Sequence, residues 1–188
     1  MRQMSIIKLI LYLKYGIIVK YFYNGALKMT IIVISDTHGD FDALYDIVSR
    51  NRTADLFIHL GDGEREYYDV RNLFPEKAFL FVKGNNDWGD YPVFHTFSVE
   101  GHKFYLTHGH SFSRSSIESF ISATASVNGC DVALFGHTHV PFCMEYEGVH
   151  LFNPGSPSRP RGVSKPSFGI ITIKKNGTLK FEHKEYKI

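Results

Sequence analysis

Two cysteines in 188 residues are too few, and too far apart, to build a disulfide framework or a cysteine zinc site. Cys130 precedes one apolar run and Cys143 follows an aromatic in another, so both are expected as reduced core thiols of a cytoplasmic protein. No uncharged apolar stretch approaches the roughly 18 residues of a membrane-spanning helix. Acid is missing from the first 28 residues, which carry Arg2, Lys8, Lys14, Lys20 and Lys28. The remainder holds 16 basic against 19 acidic residues, a net charge of -3. The sequence pI near 8.4 therefore belongs to the leader, and the body lacks the basic footprint of a nucleic-acid-binding domain. Internal repeats and low-complexity linkers are also missing, and 44% hydrophobic residues suffice for one core.

Residues 1–28 are expected to stand apart from a single domain spanning 29–188. Lys8, Lys14 and Lys20 interrupt the leader's apolar residues, and Tyr21-Phe22-Tyr23-Asn24 does not resemble a signal cleavage site. Basic and aromatic residues alternating with aliphatics suit an amphipathic surface anchor. The preferred expectation is a misassigned start or a disordered segment, with translation beginning at Met29. Met29-Thr30 opens directly onto the first strand of the body, and the codons of Gly25-Ala26 can spell a purine-rich ribosome-binding sequence shortly upstream.

The body alternates strands and helices. Thr30–Ile34, Leu56–Leu60 and Ala78–Val82 are continuous apolar runs, the pattern of strands buried on both faces. Between the first two, Phe41, Leu44, Ile47 and Val48 recur at helical spacing; between the second and third, Glu64 to Phe74 reads as a short helix or loop. This start predicts a mostly parallel sheet with right-handed crossovers. Beyond Asp87 the pattern becomes antiparallel. Hairpins are predicted around Glu100-Gly101, Glu147-Gly148 and Asn176-Gly177, with a helix over Ser115–Asn128 and a buried strand over Asp131–Phe135.

Ligand-type side chains follow the apolar runs. Asp36 and His38, then Asp62, Asn85, His108, and finally His137 with His139 each lie just past a strand beside a glycine. Side chains two apart point the same way on an extended chain, so one ion can reach both Asp36 and His38; Gly39 then lets the backbone turn into the helix. In open α/β sheets ligands bind beyond the carboxyl ends of strands, where all these clusters fall. Seven imidazole, carboxylate and amide groups are too many for one tetrahedral ion and suit a two-metal hydrolytic centre.

In order and spacing these motifs resemble the calcineurin-like metallophosphoesterases, especially the small prokaryotic phosphodiesterase branch of YfcE type. The resemblance rests on Asp36-x-His38, Gly61-Asp62, Gly84-Asn85-x-Asp87, His108-Gly109-His110, Gly136-His137-x-His139 and the closing Asn153-Pro154-Gly155-Ser156. It runs from about Met29 to the C-terminus. It implies an α/β fold, a four-layer α/β/β/α sandwich of two mixed sheets. It also implies two divalent metal ions, manganese favoured over iron, zinc, nickel or cobalt. Asp36, His38, Asp62 and His139 would hold the first ion; Asp62 as a bridge, Asn85, His108 and His137 the second. The implied reaction is hydrolysis of a small phosphoester, preferably a phosphodiester, by a metal-bridging hydroxide. Alternatives are a phosphomonoesterase or protein phosphatase, or a non-catalytic scaffold like the retromer subunit of similar fold. A homo-oligomer is compatible with the resemblance.

One position departs from the wider family, where a histidine follows the ligand asparagine. Here it is Asn86, which donates a hydrogen bond but supplies no proton at neutral pH. His110 is the expected stand-in against phosphate or leaving group, and Asp87 is expected to orient the loop. Arg159 and Arg161 are expected in a solvated loop, His59 in the core, and His95, His102, His150 and His183 in surface or packing roles. Trp88 and Tyr91 either wall the cleft or pack.

Overall fold

The computed structural model describes residues 8–12, 18–22, 28–113 and 115–187. The backbone of β1 (Lys8–Tyr12) pairs antiparallel with β2 (Ile18–Phe22). The rest of the leader to which the start-site and anchor expectations apply, residues 1–7, 13–17 and 23–27, lies outside the described residues. Among the described residues no helix is long and apolar enough to cross a membrane.

The β-branched run of β3 (Met29–Ile34) lies in the middle of a five-stranded sheet. It pairs in parallel with β4 (Leu56–His59), which pairs in parallel with β5 (Ala78–Phe81). On the other side β11 (Ser167–Ile173) runs antiparallel to β3 and carries β12 (Leu179–Glu185) at the edge. The crossovers are α1 (Phe41–Arg50) and α2 (Glu64–Leu73). Asp40 caps α1 by accepting from the Ala43 N–H at 3.0 Å, and Ala43, Leu44, Ile47 and Val48 form its buried face. The ambiguous Glu64–Phe74 stretch is thus helical, because Tyr67 and Val70 bury one face although the sequence is polar overall.

The second sheet orders β6 (Phe94–Val99), β7 (His102–Thr107), β8 (Val132–Leu134), β10 (Val149–Pro154) and β9 (Pro141–Tyr146). The β7–β8 and β8–β10 pairs are parallel; the outer pairs are antiparallel hairpins. Helix α3 (Ile117–Val127) covers its outer face.

Three apolar clusters account for the layering. One joins Ile31, Val33 and Ile58 of the first sheet to Phe104, Val132, Leu134 and Phe152 of the second, so the sheets pack face to face. A second seals α1 and α2 against the first sheet through Ile32, Leu44, Phe57 and Tyr67. The third seals α3 against the second sheet through Ile117, Ile121 and Phe135. The result is a four-layer α/β/β/α sandwich of two mixed sheets, as expected. Of the cysteines only Cys130 is buried. The expected core position of Cys143 is corrected: β9 is an edge strand, and Cys143 to Glu145 are exposed on it.

Candidate metal centre

The parallel registers end β3, β4 and β5 level with one another, and their loops are lashed together by backbone bonds. The N–H of Asp36 donates to the Gly61 carbonyl at 3.0 Å and that of His38 to the Asp62 carbonyl at 2.9 Å. From the second sheet, the Gly136 N–H donates to the His108 carbonyl at 3.1 Å. Gly84 is required for close approach, since a Cβ there would collide with the Asp62 carboxylate.

Asp36, His38, Asp62, His137 and His139 all have left-handed backbone, with φ of 57°, 48°, 57°, 65° and 62°. The remaining non-glycine residues of this kind among those described, Glu100 and Glu147, sit in hairpin turns. Left-handed backbone strains a residue with a Cβ, and such strain collects at functional sites. The expectation that Asp36 and His38 converge on an extended chain is therefore corrected. They converge because the chain kinks at both residues.

The kinks aim side chains at one another. His139 Nε2 lies 3.2 Å from Asp36 Oδ1 and 3.2 Å from His38 Nε2. His108 Nε2 lies 3.5 Å from Asp62 Oδ2, and His38 Nε2 lies 3.8 Å from the same oxygen. Two triads result, Asp36–His38–His139 and Asp36–Asp62–His108, each with ligand atoms within 4.8 Å of one another. His137 borders them: its N–H donates to Asp36 Oδ2 at 3.0 Å and its ring centroid lies 5.2 Å from that of His108.

Supporting bonds fix the tautomers. His108 Nδ1–H donates to the Leu60 carbonyl at 2.7 Å, and His139 Nδ1–H to the Arg159 carbonyl at 2.6 Å. In its neutral form each ring is left with an Nε2 lone pair facing carboxylate oxygens, an arrangement that needs a cation, a proton or a metal ion, between them. Asp36 Oδ1 and His108 Nε2 are buried with no hydrogen-bond partner. Buried polar atoms are normally paired, so these two fit a metal ion. Burial pushes the Asp36 carboxyl up to about 6, against the opposing pull of His108 and Ser35. Burial also works against the Asp62 charge, but His108 and Asn86 outweigh it and hold that carboxyl well below the usual range. Burial pushes His139 down to about 4 and lowers His38. At His108 burial opposes the proton, yet Asp62 and Asp36 prevail and raise it.

In the third-strand loop Asn85, expected as a ligand, and Asn86 are both exposed. Asn86 lies on the Asp62 carboxylate, its backbone N–H donating to Oδ1 at 2.8 Å and its amide to Oδ2 at 2.6 Å. Asp87 accepts from the N–H groups of Asp62, Gly63, Glu64 and Gly84 at 2.7–2.9 Å, tying two loops together. The His110 ring lies 5.5 Å from that of His108, and its buried Nδ1 has no hydrogen-bond partner. Burial, then the neighbouring His108, lowers its pKa.

Residues outside the predicted set complete the centre. Glu66 on α2 is buried and accepts from Thr37 Oγ1 at 2.5 Å and from the Gly39 N–H at 2.7 Å. Thr37 Oγ1 also meets His59 Nε2 at 3.0 Å. Ser35 Oγ donates to Asp36 Oδ2 at 2.7 Å, and Ser156 Oγ donates to the Asp36 carbonyl at 2.8 Å. Asn153 donates to the Gly136 carbonyl at 2.8 Å. The Asn153–Ser156 signature pointed to the last two; nothing in the polar α2 sequence singles out Glu66. Arg159 and Arg161 are exposed, and Arg159 lines the cleft beside His38 and Asp62. Trp88 and Tyr91 both line it, while Tyr91 also packs edge-on against Phe81 at 4.7 Å.

Two mixed sheets with a strained carboxylate–imidazole cluster at their shared strand ends define a metallophosphoesterase fold with candidate metal ligands in place. The sequence pattern of the calcineurin-like phosphoesterase superfamily domain matches residues 29–176, and the chain belongs to that family. It is 33% identical over 156 residues to the probable metallophosphoesterase YsnB of Bacillus subtilis strain 168, covering 81% of this chain and 90% of YsnB. Against the phosphodiesterase YfcE of Escherichia coli K12 it is 34% identical over 173 residues, covering 76% and 87% of the two chains. A crystal structure of a conserved predicted phosphoesterase from Streptococcus pneumoniae TIGR4 superposes with a TM-score of 0.69 at 26% identity, covering 84% of this chain and 99% of that one.

Proposed function

We propose that this chain is a metal-dependent phosphodiesterase that uses two divalent ions, manganese favoured, on small phosphoesters. The observation that carries the reading is the pair of tautomer-locked imidazoles, His108 and His139, whose Nε2 atoms face the Asp36 and Asp62 carboxylates. Asp36, His38, Asp62 and His139 would hold one ion, and Asp62, His108 and His137 the other; Asn85 is assigned to the second by its place in the family motif. When bound, such a pair polarises the phosphoryl oxygens and supplies activated water at neutral pH.

The chain's own residues set the rest of the chemistry. Asn86 holds the Asp62 carboxylate through two N–H groups and has no proton to give a departing alkoxide. Burial and the neighbouring His108 lower the pKa of His110, which disfavours it as a general acid. On this reading leaving groups depart without efficient proton donation from either side chain. The retained ligand set favours catalysis over a scaffold role, which has no use for strained, unpartnered polar groups.

The test is hydrolysis of bis-p-nitrophenyl phosphate and p-nitrophenyl phosphate with added manganese, beside elemental analysis and a His137→Ala control. Diester cleavage that is metal-dependent and lost in the variant is expected. Faster monoester cleavage replaces the diesterase reading with a phosphomonoesterase, and no cleavage with bound metal leaves the scaffold.

A further inference from the structure

A cleft of about 750 Å³ opens from His38, Asp62 and Asn86 along α2, with Trp88, Tyr68 and Arg159 also in its wall. Its volume suits a small molecule rather than a polymer. Trp88 is 92% exposed and Tyr68 56% exposed. An indole so exposed contributes little to the core, yet its backbone is firmly held. The N–H groups of Trp88 and Gly89 donate to Glu64 Oε2 at 2.6 and 2.7 Å, and the Glu64 N–H donates to Asp87 Oδ1 at 2.9 Å. A Cβ on Gly89 would collide with the Glu64 carboxylate. The same Asp87 accepts from the Asp62 N–H, so the loop presenting the indole is built on the residue that orders the metal centre.

A large aromatic face, presented on an anchored loop beside a phosphoester centre, fits a flat π-system on the substrate. Arg159 adds a cation suited to phosphate. Glu64, Glu66 and Asp69 also line the cleft, and the body's net charge of -3 disfavours a long polyanion. We infer that the cleft selects phosphodiesters bearing a nucleobase, that is, small nucleotides, with the base stacked on Trp88 and Tyr68. This inference rests on the phosphodiesterase reading and adds a substrate class to it.

The chain has one tryptophan, so fluorescence excited beyond the tyrosine absorption band reports Trp88 alone. The full metal-loaded chain is titrated with adenosine monophosphate and with ribose phosphate, and both affinities are repeated by calorimetry in Trp88→Ala and Trp88→Phe. Saturable quenching by adenosine monophosphate, with at least about tenfold tighter binding than ribose phosphate, is expected from base–aromatic stacking. Trp88→Ala is expected to abolish most of that preference and Trp88→Phe to retain it. Equal affinities in the parent chain overturn the inference, as does a preference that survives Trp88→Ala. Hydrolysis of bis-p-nitrophenyl phosphate is read separately. Without it the diesterase reading falls even where stacking is intact; with it, equal affinities remove only the nucleobase subsite.

Discussion

Glu66 shows how much of this centre depends on side chains that would touch no metal. Its carboxylate ties Thr37 and Gly39, either side of His38, to helix α2, and so holds the left-handed kink that aims the His38 ring. Outer partners of this kind typically cost about 10–100-fold in metal affinity when lost. Glu66→Ala is therefore expected to weaken metal binding in that range in a chelator competition while circular dichroism stays native. Unchanged affinity would show that the loop keeps its shape unaided. Asn86 supports a second expectation at this scale. A missing general acid costs about a hundredfold or more for poor leaving groups. Single-turnover rates should thus be much faster for p-nitrophenyl than for alkyl phosphodiesters, and similar rates would sink the idea. Spacing made the ligand types legible because each follows an apolar run. It could not reveal the left-handed φ at five of them, since nothing in Asp-x-His distinguishes an extended chain from a kinked one. Nor could it show that Asn86 donates twice to the Asp62 carboxylate, because that bond depends on how two separate loops meet.

Elements far from the centre are joined by His102, at the start of β7. Its Nδ1 meets Asp131 Oδ2 at 2.5 Å, just before β8, and its Nε2 meets the Gly177 carbonyl at 2.7 Å in the β11–β12 turn. Both ring nitrogens face acceptors, and only the imidazolium donates to both. Partial burial opposes the charge, but these bonds outweigh it and raise the His102 pKa; Asp131, also opposed by burial, is lowered by His102 and the Lys103 N–H. A raised histidine contributes stability fully below its unfolded value and loses it as pH rises through the folded value. The lowered carboxyl contributes above its own unfolded value and loses this as pH falls through the folded one. The melting-temperature gap between the parent chain and His102→Ala should accordingly be widest near pH ~5–6 and shrink toward pH ~9. A gap independent of pH would assign the residue to packing alone. The elements themselves were largely legible. Continuous apolar runs marked the buried strands and Gly-containing pairs marked the hairpins. The α2 helix was ambiguous because it buries Glu66 along with Tyr67 and Val70. Cys143 misled because a sequence does not say that β9 lies at a sheet edge.

Over the whole molecule, the three apolar clusters draw their described members from Met29 to Tyr186, and the family match begins at residue 29. Phe152 shows how the layers depend on one another. It is fully buried between the sheets, stacks on His183 at 4.6 Å and meets Phe181 at 5.5 Å, and a Cβ on Gly169 would collide with its ring. Phe152→Ala should cost about 3–5 kcal/mol in denaturant unfolding. We propose that residues 29–188 fold as one unit without residues 1–28. The opposing consideration is that β2 approaches β5, the edge strand of the first sheet among the described residues, and an edge strand gains from a covering segment. The two effects separate by experiment. If the core carries the stability, a chain starting at Met29 unfolds in one cooperative step, with a melting temperature within a few degrees of the full chain and the same metal content. If the β1–β2 hairpin belongs to the fold, the shortened chain melts well below the full one or aggregates through β5, and Met29 is not where the domain begins.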